Sequence, residues 1–160
     1  MSDSLKPPAL DPDTIEREER RPYPQPYTDT TAGKTRQALG DALGLTQFGV
    51  NISRLAPGAK SALRHWHSGE DEFIYIVAGR PTLVCDSGEQ QLEPGHVAGF
   101  PAGHEDGHLL ENRTDEEAVF IEVGTRAAVE KVVYTDADLV MHKTYHMPNR
   151  HFTRRDGSDY

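Results

Sequence analysis

Cysteine is almost missing from this chain: Cys85 is the only one in 160 residues, so no internal disulfide framework can hold the fold. Long apolar runs are missing too. Charges or prolines interrupt every hydrophobic segment well short of the ~20 residues a bilayer-spanning helix needs, which argues against a membrane protein. Residues 1–20 lack the apolar stretch of a secretory signal, and with a single cysteine the expected address is the cytoplasm. Basic residues are in the minority, 17 Lys and Arg against 26 Asp and Glu, and form no cluster that could follow a phosphate backbone. Nucleic acid is therefore not an expected partner. At this length one hydrophobic core is expected.

What is present is unevenly distributed. Six of the eleven prolines fall in residues 1–30, among them Pro22, Pro24 and Pro26, so residues 1–44 read as a partly irregular N-terminal arm. Within it, Asp13 to Arg21 has the makings of one or two helical turns, with Asp13 as cap and Glu16 three residues on. From Leu45 the chain becomes a series of short apolar runs separated by Gly, Pro and Asp. Strands are expected near 45–55, 61–67, 71–78, 81–86, 89–93, 96–100, 107–112, 117–124 and 129–134, with turns at Pro57-Gly58, Ser87-Gly88 and Pro94-Gly95. The gaps are too short for parallel crossovers, so the pairing is antiparallel and the class all-β. Residues 45–135 would form the barrel. Residues 136–160 are polar, carry His142, His146 and His151, and read as a tail packed on the barrel or on a partner subunit.

The chemistry gathers in two segments. In the first, residues 57–79, His65 and His67 sit two apart on a predicted strand, so both imidazoles face one side while Trp66 faces the other. After the turn Ser68-Gly69, Glu72 opens the next strand, and a hairpin would return its carboxylate to the pair. Two histidines and a carboxylate suit iron, manganese or zinc. Ile74 and Ile76 share the face of Glu72, placing the polar cluster against an apolar wall. In the second segment, residues 95–112, a strand runs into the turn Pro101-Ala102-Gly103 and another begins near His108, a fourth candidate ligand, with His104 as its competitor.

These residues resemble the two motifs of the cupin superfamily. Gly58, His65, His67, Glu72 and Gly79 match the first, with six residues instead of five between Gly58 and His65. Gly95, Pro101, Gly103, His108 and Asn112 match the second apart from a two-residue insertion before His108. His108 keeps the motif distance to Asn112 and is preferred over His104. The resemblance implies a double-stranded β-helix, or jelly-roll, barrel holding one divalent metal ion (Fe, Mn, Zn or Ni) through His65, His67, Glu72 and His108, and a homodimer. Glu72 is a possible base as well as a ligand, and His104 a possible catalytic residue in the insertion.

The expected function is that of a metal-dependent enzyme of dioxygenase, isomerase or lyase type, acting on a small oxygen-rich organic acid or carbohydrate-like substrate by Lewis-acid or dioxygen chemistry. The alternative is a non-catalytic sensor of a metal or small ligand. Trp66 and Tyr75 are expected to pack outside the barrel, Cys85 to be an inert thiol, and Arg64 to form either a substrate contact or an external ion pair. Glu105 and Asp106 read as a solvated acidic loop, and the C-terminal histidines as solvated.

Overall fold

The computed structural model describes residues 5–144 and 147–160. Its strands are β1 (Glu18–Glu19), β2 (Lys34–Ala38), β3 (Phe48–Leu55), β4 (His65–His67), β5 (Glu72–Ala78), β6 (Thr82–Cys85), β7 (Gly88–Gln91), β8 (Val97–Phe100), β9 (His108–Glu111), β10 (Ala118–Thr125), β11 (Val129–Tyr134), β12 (Leu139–Thr144) and β13 (Met147–Thr153). They form two antiparallel sheets, ordered β1-β2-β3-β10-β5-β8 and β13-β12-β11-β4-β9-β6-β7, as in a jelly roll. No helix among the described residues exceeds the four residues of Thr28–Thr31 and Leu39–Ala42, so none is long and apolar enough to cross a membrane.

Strand β5 shows why the sheets face each other as they do. Along EFIYIVA the even-numbered Ile74 and Ile76 are buried and the odd-numbered Phe73, Tyr75 and Val77 are exposed, the period of a sheet with one covered face. The inward residues build two clusters. One joins Leu55, Ile74, Ile76, Leu110 and Phe120, and the other joins Tyr23, Val132, Tyr134, Leu139 and Met141. Each fully buried side chain of this size contributes about 1.5–3 kcal/mol.

All nine expected strands form. The ends of the chain differ from their sequence reading. Asp13 does not cap a helix: Asp11 does, its carboxylate accepting from Asp13 N over one 3-10 turn, Pro12–Thr14, and the chain then extends into β1. Ile15 is already extended, and the pairing of Glu18 and Glu19 with β2 draws the chain away from a longer helix. The polar stretch after Asp136 forms β12 and β13, which continue the second sheet beyond β11.

Gly79, just after β5, has φ near +74°, and an added Cβ would lie 2.6 Å from Glu117 O and 2.7 Å from Ala118 Cα, both backbone atoms at the start of β10. Left-handed strain of about 1–2 kcal/mol and overpacking of about 1–3 kcal/mol would combine there. Gly79→Ala is expected to lower unfolding free energy by about 2–4 kcal/mol in urea melts. A loss below about 1 kcal/mol would show that the two strands can part without penalty.

Candidate metal centre and its cavity

Strand β4 is three residues long and lies between β11 and β9, with His65 paired to Tyr134 on one side and to His108 on the other. Alternation turns His65 and His67 inward, and the β4–β5 turn returns Glu72 beside them. Ligand atoms of His65, His67 and Glu72 lie within 4.8 Å of one another. His108 joins through Glu72: its Nε2 is 3.1 Å from Oε2, and His67 Nε2 is 3.3 Å from the same oxygen. The ring of His65 is centred 5.0 Å from that of His67 and 4.8 Å from that of His108.

The surroundings fix each ring. His65 Nδ1 donates to Leu63 O at 2.8 Å, which leaves Nε2 with its lone pair toward the cluster. Phe100 stacks on His108 at 3.5 Å between centroids, and His108 Nδ1 is buried without a partner among the described residues. His67 Nδ1 faces Glu130 Oε1 at 3.5 Å, too long for a good hydrogen bond but close enough for an ion pair. Glu130 is buried and accepts from Ser68 N and Gly69 N, each at 2.9 Å, so it holds the turn that aims Glu72.

These environments split the histidines. Burial first, then the neighbouring His108 and His67, push His65 down to about 3, keeping it neutral. Burial also disfavours a charged His67, but the carboxylates of Glu130 and Glu72 outweigh it and raise the ring to about 9. Burial likewise opposes ionisation of Glu72, and hydrogen bonds with His108 and His67 overcome it, holding the carboxyl well below its usual range. Three imidazoles and an ionised carboxylate turn ring nitrogens and an oxygen inward, and a metal would replace the protons that Nε2 of His67 and His108 hold toward Glu72. That donor set and geometry fit a divalent transition metal.

The cluster forms one part of a cavity of about 340 Å³. Apolar Ile74 and Phe120 line it together with Tyr23 and Tyr134, and it extends across the first sheet to Lys34 and Arg36. Its volume falls in the range of small-molecule sites.

Other residues singled out in the sequence lie apart. His104 is exposed on the loop after β8 and does not line the cavity, because the insertion carries it outward before the chain turns into β9. Glu105 is exposed, whereas Asp106 accepts from Asp86 N at 2.7 Å and Ser87 Oγ at 2.9 Å and ties that loop to the β6–β7 turn. Arg64 pairs with Asp136 at 2.6 Å and Asp86 at 2.8 Å, the external ion pair of its two readings. Tyr75 is exposed on the outer face, and Trp66 is partly buried on the side of β4 away from the histidines. Burial raises the Cys85 thiol above its ordinary value, so it is no ready nucleophile. His142 meets Thr153 Oγ1 at 3.0 Å and His151 meets Asp159 at 3.2 Å, both away from the cluster, and His146 lies outside the described residues.

Glu130 was not anticipated. Its signal is an acid in phase with inward-facing Val132 and Tyr134 on β11.

Residues 51–124 match the family model for the cupin domain. A sugar phosphate isomerase of the cupin superfamily from Silicibacter pomeroyi is 46% identical over 96% of each chain, with a TM-score of 0.92. A putative sugar phosphate isomerase from Acidithiobacillus ferrooxidans is 25% identical, over 79% of this chain and 80% of its own, with a TM-score of 0.71. A polyketide cyclase from Streptomyces resistomycificus, 22% identical over 73% of this chain and 78% of its own with a TM-score of 0.61, shares the fold. No curated protein matches the chain.

The raised His67 has a stability consequence with a definite sign. Its folded value of about 9 exceeds the ordinary histidine value of 6.5, so its contribution is fully present below pH 6.5 and lost as pH rises through about 9. In chelator-treated protein the thermal midpoint is expected to fall between pH 6.5 and 9, and less so in His67→Gln. Parallel curves for the two proteins would refute the assignment.

Proposed function

The chain belongs to the cupin superfamily, and from that premise we propose that it is a metal-dependent isomerase of small hydroxy-carbonyl compounds of the sugar phosphate class. His65, His67, Glu72 and His108 would hold one divalent ion, Fe, Mn, Zn or Ni. The observation that carries this reading is the convergence of three imidazoles on Glu72 inside a cavity of substrate size. The 46% identical sugar phosphate isomerase from Silicibacter pomeroyi supports the substrate class.

A bound divalent cation supplies Lewis acidity toward the carbonyl and hydroxyl oxygens of such a substrate. The protein's part is positioning and proton handling. Isomerisation takes a proton from the carbon next to the carbonyl, returns one to the former carbonyl carbon, and shifts the hydroxyl proton to the other oxygen, so no oxidant is consumed. Glu72 is ionised at neutral pH and can take a proton, as a weak base, because the two imidazole nitrogens near its Oε2 hold its carboxyl low. Neutral His65 adds no positive charge to the cluster. Ile74 lines the cavity beside Glu72 and Phe100 stacks on His108, apolar surfaces that strengthen polar interactions at this end.

The outer face of β5 and β8 exposes Phe73, Tyr75, Val77 and Val97 without a charge among them, beside Ile121 and Val123 of β10. That uncharged face is suited to a second copy across a two-fold axis, the homodimer that the resemblance implies. In sedimentation at micromolar concentration a dimer is expected, with Tyr75→Glu shifted to monomer. A monomeric wild type would sink this arrangement. The lone free thiol, Cys85, agrees with the reducing cytoplasm.

The function is tested by elemental analysis and turnover on the same samples. Wild type purified without added metal is expected to carry about one transition metal per chain, and the His65→Ala, His67→Ala double variant to carry almost none. Wild type should also exchange solvent deuterium into aldose and ketose phosphates at the carbon next to the carbonyl. Equal metal in both proteins would overturn the ligand assignment. Metal without exchange on any such substrate would overturn the isomerase reading in favour of a ligand sensor, or of oxygenation if the metal is iron.

A further inference from the structure

The chain has 26 acids for 17 basic residues, yet Arg36 has no carboxylate within 4.0 Å and its buried Nε has no hydrogen-bond partner among the described residues. Scarcity of acids does not explain that. Arg36 lies on β2 opposite buried Ser53 of β3, which turns its side chain inward to the cavity. Glu18 and Glu122, the carboxylates that bear on it, are engaged elsewhere. Glu18 pairs with Arg20 at 2.8 Å, and Glu122 accepts from Ser53 Oγ at 2.8 Å and faces Lys34 Nζ at 3.6 Å. Burial, then Arg20, hold Arg36 below the ordinary arginine value, with Arg150 adding to the effect and the two acids opposing it. Arg20, Lys34 and Arg150 line the same cavity. A guanidinium whose buried Nε lacks an acceptor, set among like charges, is unfavourable unless an anion completes it.

We infer that Arg36, with Arg20, Lys34 and Arg150 around it, forms a binding site for a dianionic phosphoryl group at the far side of the cavity from the imidazole cluster. The fork of a guanidinium matches two phosphoryl oxygens, and the four cations outnumber the two acids, Glu18 and Glu122, that face them. Strand order places β2 three strands from β5, and Arg36 is in register with Ile76, four residues along β5 from Glu72, so the two Cα positions lie roughly 20 Å apart at ~4.8 Å per strand and ~3.3 Å per residue, a gap that the Arg36 and Glu72 side chains shorten from both sides. A sugar with its carbonyl end at Glu72 and a terminal phosphate at Arg36 spans what remains. Tyr23 lines the same cavity, its ring edge-on to Tyr134 at 5.4 Å. The inference rests on the isomerase reading for the sugar, but the phosphoryl site itself stands on Arg36.

The test therefore uses inorganic phosphate on chelator-treated protein, which requires neither metal nor turnover. By titration calorimetry at fixed ionic strength, wild type is expected to bind one phosphate per chain. Arg36→Met should weaken binding at least tenfold and Arg36→Lys by less. Arg126→Met is the control, because Arg126 also lines the cavity but pairs with Asp41. Circular dichroism melts confirm that each variant is folded, and should Arg36→Met fail to fold, Arg36→Lys and Arg126→Met carry the comparison. Absence of saturable binding to wild type would overturn the site, as would equal weakening by the Arg36 and Arg126 variants. Phosphate binding lost in Arg36→Met, in a protein that isomerises nothing, would uphold this site and leave only the isomerase reading refuted.

Discussion

A carboxylate buried to 1% exposure is the constraint on which the centre of this molecule depends. Taking Glu130 out of water costs several kcal/mol unless its oxygens are occupied. They are occupied by Ser68 N and Gly69 N, so the β4–β5 turn is held against β11 instead of floating in solvent. Gly69 is part of the same arrangement: a Cβ there would stand 3.1 Å from Glu130 Oε2 and 3.3 Å from Val129 O. Because this turn is anchored, β5 starts where Glu72 meets the histidines. The opposite side of the turn is held by Glu70, which accepts from Ala127 N at 2.9 Å and pairs with Lys143 at 2.8 Å. Loss of Glu130 would free the turn and remove the negative neighbour that charges His67.

The same cluster shows how one strand gives two imidazoles opposite tendencies. His65 is surrounded by other imidazoles and by Tyr134 and has only a backbone carbonyl as partner. His67, two residues on, has a carboxylate on each side. In water the difference would be small, but between Phe100 of one apolar cluster and Tyr134 of the other, charges are weakly screened and neighbours decide protonation.

Much of this was readable beforehand. The nine barrel strands follow from period-two apolar runs bounded by turn residues, and the ligand face follows from His-Trp-His alternation. His108 was preferred to His104 for its distance to Asn112, and the structure supplies a physical reason for that spacing. Buried Asn112 donates to Leu55 O and Glu116 O and accepts from Thr114 N, pinning the end of β9 to the other sheet and leaving the two extra residues to bulge at His104. Strand β2 was unreadable because neither face looks apolar. Its inward Lys34 and Arg36 face a cavity, and its outward Gln37 is buried under the arm, donating to Pro12 O and Ile15 O. In β12 the alternation of Leu139 and Met141 was present but short, and the surrounding polar residues masked it. Tertiary partners, not local preference, make these segments strands.

The unreadable segments have a common position. The barrel strands β4, β5 and β9 supply His65, His67, Glu72 and His108. Arg20 follows β1, Lys34 and Arg36 sit on β2, Tyr23 belongs to the arm and Arg150 to β13, all outside the stretch that the motifs cover. Cations in a strand remove the apolar alternation by which strands are recognised, so a site built from them is hidden for the same reason that it can bind an anion. Tyr23 ties the two regions together: its ring packs edge-on to Tyr134 at 5.4 Å, its hydroxyl accepts from Leu63 N at 3.2 Å, and Leu63 O in turn orients His65. The arm therefore does more than cover the barrel. Through Tyr23 and Leu63 it sets the tautomer of a candidate ligand, and through Arg20 and β2 it charges the far wall. Changes in the arm are thus positioned to alter what the cavity accepts while the donor set of the barrel stays the same.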